Sequence, residues 1–266
     1  VDNPLVPKIS AVVMIYNEEA QIKECLDTII WVDEIIICDS FSTDRTVEIC
    51  RAYTDRIYQR KFDDFGHQKH WLLDKPSYEW VLFVEADERF PKELAWEIRQ
   101  RLAQNEGYDG YWIPYKNYMF GKEMKGKYWI QKRIKLYKKE LGDWEDKLVH
   151  ANFILHGRSA DLMNQLLHYP YPNFKILFTK FNRFTNLEAK QLIVKKTRVN
   201  CIDTLKAIFW IPVRFYIFFF KWEDYKSGLA GILYALIMSF YAIVINIKYW
   251  VLRLQGYKGE KIISSG

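Results

Sequence analysis

The chain has 266 residues, a length that fits one large or two small domains. Half of it is hydrophobic, 17% aromatic and 27% charged, which excludes a disordered chain, and four cysteines are too few for a disulfide-stapled miniprotein. The formal charge of +6 conceals an asymmetry: residues 1–150 hold 23 Lys/Arg against 27 Asp/Glu, whereas residues 151–266 hold 16 against 6.

The first ninety residues alternate short apolar runs with helical patterns. Ile9 to Tyr16 is a β-branched run long enough for a buried strand. From Glu18 to Trp31, Ile22, Cys25, Leu26, Ile29 and Ile30 share one helical face. Glu34 to Cys38 reads as a second strand, after which Ser42 or Thr43 is placed to cap a helix carrying Val47, Cys50 and Tyr53. Arg56 to Gln59 is a weak third strand and Tyr78 to Val84 a strong fourth. Pro91 suits the first turn of a helix whose inner face holds Leu94, Ile98 and Leu102. Continuous apolar strands between helices predict an α/β fold with a mostly parallel sheet covered on both faces. Ligands in such sheets bind beyond the carboxyl ends of the strands.

From Asp109 to about His156 the pattern changes to strand and loop, with strands at Tyr111–Tyr115 and Arg133–Tyr137 around a Lys/Gly-rich turn at 121–127. Tyr169-Pro170-Tyr171-Pro172-Asn173 marks a boundary, dividing an α/β domain, 1–168, from a basic, aromatic helical region, 169–266. Thr185-Asn186-Leu187-Glu188 has the spacing of a capping box and is expected to open a basic helix. Ala207 to Phe220 is apolar but broken by Pro212 and Arg214, and residues 228–247 carry no charge between basic and Trp flanks. Twenty such residues reach the length of a membrane span. Their Trp, Lys and Arg flanks also suit an interfacial anchor. A shallow or re-entrant insertion fits the broken first segment better than a single span, and the local positive charge favours anionic lipid.

Cys25, Cys38, Cys50 and Cys201 show no zinc-site spacing; the first three fall in apolar patterns that suit buried reduced thiols, and a reducing cytosol is the natural compartment. Val1 to Pro4 lacks the features of a signal peptide. Nucleic-acid binding is not expected, because the basic charge accompanies apolar segments and no recognition motif is present.

Four polar clusters follow strand ends: Tyr16-Asn17-Glu18-Glu19, Asp39 to Asp44, His67-Gln68-Lys69-His70 and Glu85-Ala86-Asp87-Glu88. Each alone has a plain explanation as a cap or a solvated loop; four at one edge of one sheet point to a ligand site. Glu85 and Asp87 are two residues apart, so an extended strand end turns both carboxylates to one side. Two like charges held together call for a cation. Hard oxygen ligands suit Mg²⁺ or Mn²⁺ shared with a diphosphate. GxxxxGK[ST] and GxGxxG are both absent, which excludes P-loop and dinucleotide-dehydrogenase readings.

The ordered runs ISAVVMIYNEE, VDEIIICDSFSTDRTVEI, FGHQKHWLL and WVLFVEADERF closely resemble the family 2 glycosyltransferases of GT-A fold. The likeness continues through YDGYWIPYKNYMFGK, QKRIKLYKK, LVHA, LLHY and the GLAGILYALIMSFYA tail, and is similar to the bacterial lipopolysaccharide-core glucosyltransferase subgroup. The resemblance implies a donor-binding set of Tyr16, Asn17, Glu18, Asp39, Lys69, Glu85 and Arg133, with Asp87 as the metal-binding carboxylate of an Asp-x-Asp site. Glu85 departs from the usual Asp, and Ala151 from a common Glu. A base for the acceptor hydroxyl is expected at Asp146 or Glu145. His150 and His168 fit a base, a further metal ligand or structural histidines equally, and Trp112, Tyr115, Tyr118 and Trp129 fit either sugar stacking or core packing.

The resemblance thus implies an inverting, metal-dependent transfer of a hexose, glucose first among them. The donor would be a nucleoside diphosphate sugar, UDP-linked, and the acceptor a lipid-borne glycan such as lipopolysaccharide core, at the cytoplasmic face of the inner membrane. A polyprenyl-phosphate or polyprenyl-linked-oligosaccharide sugar transferase shares the donor site and stays open, as does, with less support, a non-catalytic sugar-nucleotide or membrane-binding protein.

Overall fold

The computed structural model describes residues 6–145 and 152–258. Two compact units emerge, one of residues 1–116 and 131–168, the other of residues 117–130 and 169–266. The unit division thus groups 117–130 with the C-terminal segment.

The first unit begins with β1 (Ile9–Ile15), α1 (Ile22–Asp27), β2 (Glu34–Asp39), α2 (Thr46–Cys50), β3 (Ile57–Gln59), α3 (Phe65–Trp71) and β4 (Trp80–Glu85). It continues through β5 (Glu88–Arg89), α4 (Lys92–Gln104) and β6 (Gly110–Met119), whose last three residues belong to the second unit. Strands β1, β2, β3 and β4 pair in parallel in the order β3-β2-β1-β4. β1 is buried on both faces because its side chains alternate between two layers. Ile9, Ala11, Val13 and Ile15 pack with Ile22, Cys25 and Leu26 of α1 and Leu94, Ile98 and Leu102 of α4. Val12 faces the opposite layer, with Leu72, Phe83 and Tyr137.

Register brings the polar clusters together. Ile15 pairs with Asp39 and Met14 with Glu85, so the carboxyl ends of β1, β2 and β4 lie level. The expected α/β architecture, parallel strands flanked by helices, is thereby present, with the polar clusters at the edge where ligands bind in such sheets.

Beyond β4 the sheet turns antiparallel through β8 (Lys132–Lys138), which pairs with β4 on one side and β6 on the other; β7 (Lys122–Glu123) lies between β6 and β8 in sequence. The remaining strands are β9 (Gly142–Trp144), β10 (Phe153–Leu155), β11 (Ser159–Asp161) and β12 (Leu166–Tyr171). β9 and β10 form a separate hairpin, and β12 places His168 opposite Glu88 of β5.

Two expected caps are corrected. α2 starts at Thr46 without a side-chain cap, because Ser42 and Thr43 bind the loop after β1 instead. The Thr185 motif opens no helix: α5 (Phe174–Val194) already runs through it, capped by Asn173, and the Thr185 hydroxyl donates back to the Phe181 carbonyl. A threonine hydroxyl in mid-helix makes this i−4 bond readily, so the motif is not a start signal there.

In the second unit, Phe120 and Gly121 both have positive φ, which suits the tight turn joining β6 to β7. α5 is followed by α6 (Cys201–Phe209), α7 (Ile211–Tyr216) and α8 (Leu229–Leu254). Ala189 and Ile193 of α5 pack with Ile245 and Tyr249 of α8. Gly231 sits against the Asp224 carbonyl so closely that no Cβ fits. The 26 residues of α8 extend about 39 Å, long and apolar enough by length and composition to cross a membrane.

Candidate active site

A cleft in the first unit is lined by Lys69, Phe83, Glu85, Trp112, Lys132, Arg133, Ile134, Lys135, Trp144, Asn152 and Phe153. Its cationic lining comes from two elements. α3, opened by Asp64 accepting the His67 N–H, carries Lys69 inward; β8 supplies Lys132, Arg133 and Lys135.

Lys135 owes its position to a register slip. Tyr111 pairs with Leu136 but Trp112 pairs with Ile134, leaving Lys135 as an extra residue on β8. Such a bulge re-aims a side chain, and bulges are frequent beside active sites. The Lys135 ammonium lies 2.7 Å from Glu88 Oε1 and 3.2 Å from Glu85 Oε2. Glu88, fully buried, also accepts the Tyr115 hydroxyl at 2.7 Å and the Glu85 backbone N–H at 2.9 Å. The Arg133 guanidinium stands 5.7 Å from the Tyr115 ring centre.

These neighbours set the protonation of the cluster. Burial works against ionisation of Glu85, but Lys135, Lys69 and Arg133 together hold its carboxyl well below the usual range. Glu88 is shifted the other way, upward, chiefly by burial. Burial also lowers Lys69 to about 8, with Glu85 opposing and Lys135 and Arg133 adding to the effect. Its ammonium lies 4.2 Å from the Trp144 ring centre and 4.7 Å from that of Phe83, so aromatic faces replace part of its hydration.

The strand ends at Glu85, and Ala86-Asp87 form a turn before β5. The expectation that both carboxylates share one side of an extended strand end therefore rests on the wrong backbone geometry. Asp87 Oδ1 faces His168 Nε2 at 3.6 Å, and the His168 ring meets Tyr115 edge-on at 5.4 Å. Among the described residues no group of three or more His, Cys, Asp or Glu is gathered as a metal cage. A pair is nevertheless sufficient for Mg²⁺ or Mn²⁺, which take few protein ligands and complete their shell with substrate phosphates and water. Asp87 supplies the carboxylate of that donor set, and His168, 3.6 Å from it, would add a nitrogen donor beside it.

The loops after β1 and β2 are tied to each other. The Asn17 N–H donates to Ser42 Oγ at 2.9 Å, Asn17 Oδ1 accepts from the Thr43 N–H at 2.8 Å, and the Glu18 N–H donates to Thr46 Oγ1 at 2.8 Å. Asp39 is buried, with both carboxylate oxygens accepting from the Ser42 N–H and one also from the Gln59 amide. Tyr16 and Phe41 are about half exposed beside this tether. Glu145 follows β9 and receives the Asn152 N–H and side-chain amide, both at 3.0 Å. Asp146, His150 and Ala151 lie outside the described residues.

Of the aromatics singled out in the sequence, Trp112 lines the cleft, whereas Tyr115 is spent on Glu88. Tyr118 stacks on Tyr169, and Trp129 donates to Asp224, both within the second unit. Sequence reasoning assigned no role to Lys135 or Glu88. The available signal was a lysine inside an otherwise buried strand segment, Ile134 to Tyr137.

Residues 10–162, more than half of the chain, match the model of the family described as Glycosyl transferase family 2. The chain belongs to this family. The family 2 assignment makes it a glycosyltransferase, an enzyme of sugar transfer. It is 25% identical to the lipopolysaccharide core biosynthesis glycosyltransferase LpsC of Rhizobium meliloti strain 1021, across 92% of this chain and 94% of that protein. It is also 26% identical to an uncharacterized glycosyltransferase of Rickettsia conorii, across 98% and 95%. Among solved structures it is similar to S. aureus TarS 1-349 in complex with UDP-GlcNAc, with a TM-score of 0.48 and 15% identity, covering 94% of this chain and 92% of that one. The family 2 chain thus resembles the lipopolysaccharide-core subgroup along almost its whole length.

Proposed function

We propose that this glycosyltransferase is inverting and metal-assisted, moving glucose from UDP-glucose to a lipid-borne glycan such as lipopolysaccharide core. The observation that carries the reading is the convergence of Lys69, Arg133 and Lys135 around Glu85 at the carboxyl end of β4. Departure of a nucleoside diphosphate develops negative charge, and preorganised cations in a partly desolvated cleft stabilise it. Lys69 and Arg133 take that role, while Lys135 neutralises Glu85 and Glu88 so that the site can hold both. Asp87 and His168 would hold Mg²⁺ or Mn²⁺, which when bound supplies Lewis-acid charge to the diphosphate.

The tethered loops bearing Tyr16, Asn17 and Glu18, with Asp39 beneath, hold the nucleoside. Glu145 or Asp146 accepts the acceptor hydroxyl proton as its oxygen attacks the anomeric carbon. The match to LpsC, named for lipopolysaccharide core biosynthesis, supports the acceptor class. Residues 1–168 would form the catalytic domain and 169–266 the membrane-associating region, at the cytoplasmic face of the inner membrane. The apolar α8 supports a membrane-borne acceptor.

A panel of nucleotide sugars with Mg²⁺ or Mn²⁺, scored by release of the nucleoside diphosphate, tests the donor. UDP-glucose is expected to turn over and to stop in chelator; turnover unaffected by chelator would overturn the metal assignment. Offering polyprenyl phosphate beside glycolipid acceptors tests the acceptor, and transfer to polyprenyl phosphate alone would replace the lipopolysaccharide reading.

A further inference from the structure

The second unit buries one face of α8 and leaves the other bare. Ala230, Tyr234, Ala235, Ser239, Ile245 and Tyr249 are buried. Leu229, Ile232, Leu236, Phe240, Ile247 and Val251 are exposed, and their spacing keeps them within one stripe along the whole helix. The segment before α8 repeats the pattern, with Ile202, Leu205, Phe209, Val213, Tyr216 and Phe220 all at least two-fifths exposed. Contiguous apolar surface of this extent marks an interaction site.

The buried face of α8 decides how that surface is used. It packs along α5, which carries Lys175, Lys180, Arg183, Glu188 and Lys190. The two helices are joined by polar bonds. The Tyr241 hydroxyl donates to Glu188 at 2.7 Å, and the Lys248 ammonium donates to the Asn182 carbonyl, the Asn182 side chain and Thr185 Oγ1 at 2.6–2.8 Å. An α8 that crossed a bilayer in this packing would draw the charged α5 into hydrocarbon beside it, which is strongly unfavourable. Length and hydropathy alone suggest a span; the partner helix argues against one.

We infer that α8 lies in the plane of the membrane, its 229–251 stripe and the exposed apolar side chains of α6 and α7 seated in the interface of an anionic leaflet, and that it does not span. Charge complementarity favours this partner: Lys195, Lys196, Arg198, Lys206, Lys221 and Lys226 are exposed within the same unit. Such residues draw an amphipathic helix to negative headgroups. Trp210 and Trp222, both part-exposed, suit the headgroup level. The inference deepens the membrane-borne-acceptor reading, and its test measures binding and topology only, so the two can fail separately.

The full chain is mixed with sealed vesicles of phosphatidylcholine containing about a third phosphatidylglycerol, and with phosphatidylcholine alone. Sedimentation with the anionic vesicles, at least tenfold weaker with the neutral ones, is the expected result. Phe240→Glu and Leu236→Glu should release the protein, whereas Ile30→Glu, at an exposed position in the first unit, should not; circular dichroism checks that each variant is folded. Lys226→Cys and Gln255→Cys, each made with Cys201→Ser, are then labelled on the vesicles with an impermeant maleimide. Labelling of both ends from outside is expected. Protection of either end until detergent is added would show a span and overturn the inference. So would a failure to bind anionic vesicles, including the case of a soluble dimer that Phe240→Glu dissociates.

Discussion

Lys135 and Glu88 form an ion pair 2.7 Å long in which neither side chain is more than 3% exposed. The pair exists because a bulge inserts Lys135 between Ile134 and Leu136, and it is completed by the Tyr115 hydroxyl on Glu88 and by Glu85 on Lys135. Breaking a buried pair from one side leaves a bare charge.

Lys135→Met is therefore expected to destabilise the first unit by about 3–5 kcal/mol, since Glu88 stays buried without its cation. Adding Glu88→Gln should recover part of the loss, by about 0.5–3 kcal/mol, because residues in one network do not act additively. Urea unfolding of the two single variants and the double variant measures both quantities. Simple additivity would mean that the pair is not coupled.

Lys69 is expected to weaken stability in order to serve the site. Its folded-state pKa, lowered to about 8 mainly by burial, lies below the unfolded value of 10.5. The unfolded chain then binds more protons between pH 8 and 10.5, so this residue's contribution makes stability rise with pH through that window. Below pH 8 the full penalty, about 3 kcal/mol, applies. Lys69→Met should raise stability at pH 7 by up to about 3 kcal/mol and remove that rise, while raising the donor KM. Unfolding midpoints at pH 7 and 9.5, with donor kinetics at pH 7, test this; an unstabilised variant that binds donor normally would contradict it.

Asp87→Ala is expected to lower kcat/KM by about a thousandfold or more while leaving the fold intact, as loss of a charge-stabilising group does. His168→Ala should leave measurable activity but raise the metal concentration needed for half activity by roughly 10–100-fold, the loss typical of a weakened metal shell. Metal titrations of the purified variants separate these outcomes. An unchanged metal requirement in His168→Ala would leave His168 as the edge-on partner of Tyr115.

Asp224 gives the second unit a pH dependence of opposite sense. Burial raises its carboxyl to about 7; Oδ1 accepts the Trp129 indole N–H, and Oδ2 has no hydrogen-bond partner among the described residues. With the folded value above the unfolded 3.8, the folded protein binds more protons between about pH 4 and 7. Its contribution to stability is thus complete at low pH and lost as pH rises toward and past 7. Asp224→Asn should stabilise the protein at pH 8 by about 1–3 kcal/mol, with the gain vanishing near pH 4. Thermal melts at the two pH values provide the measurement.

Much of this was legible in the sequence because it depends on local pattern. The β-branched runs of β1, β2 and β4 and the polar clusters after them locate the sheet and its ligand edge without any coordinates. The rest depends on pairing. His168 reaches Asp87 only because β12 lies against β5, and Lys135 is re-aimed only because β8 slips by one residue against β6. Ser42 looks like a cap because a serine hydroxyl accepts any nearby N–H; the one it accepts here is that of Asn17 in the loop after β1, and Thr43 gives its own N–H to Asn17 Oδ1. Thr185 misleads for a related reason, since the helix capped by Asn173 had already started at Phe174, eleven residues earlier.

The tether between the loops after β1 and β2 has a practical consequence. Asn17 gives one bond to Ser42 and takes another from Thr43, while Glu18 is anchored to Thr46. Each loop is thus held in part by the other. Under the proposed donor assignment, a change of nucleoside preference must be transplanted as a two-piece cassette, residues 16–19 together with 39–46. Point changes in either piece alone would report broken scaffolding before they reported altered specificity.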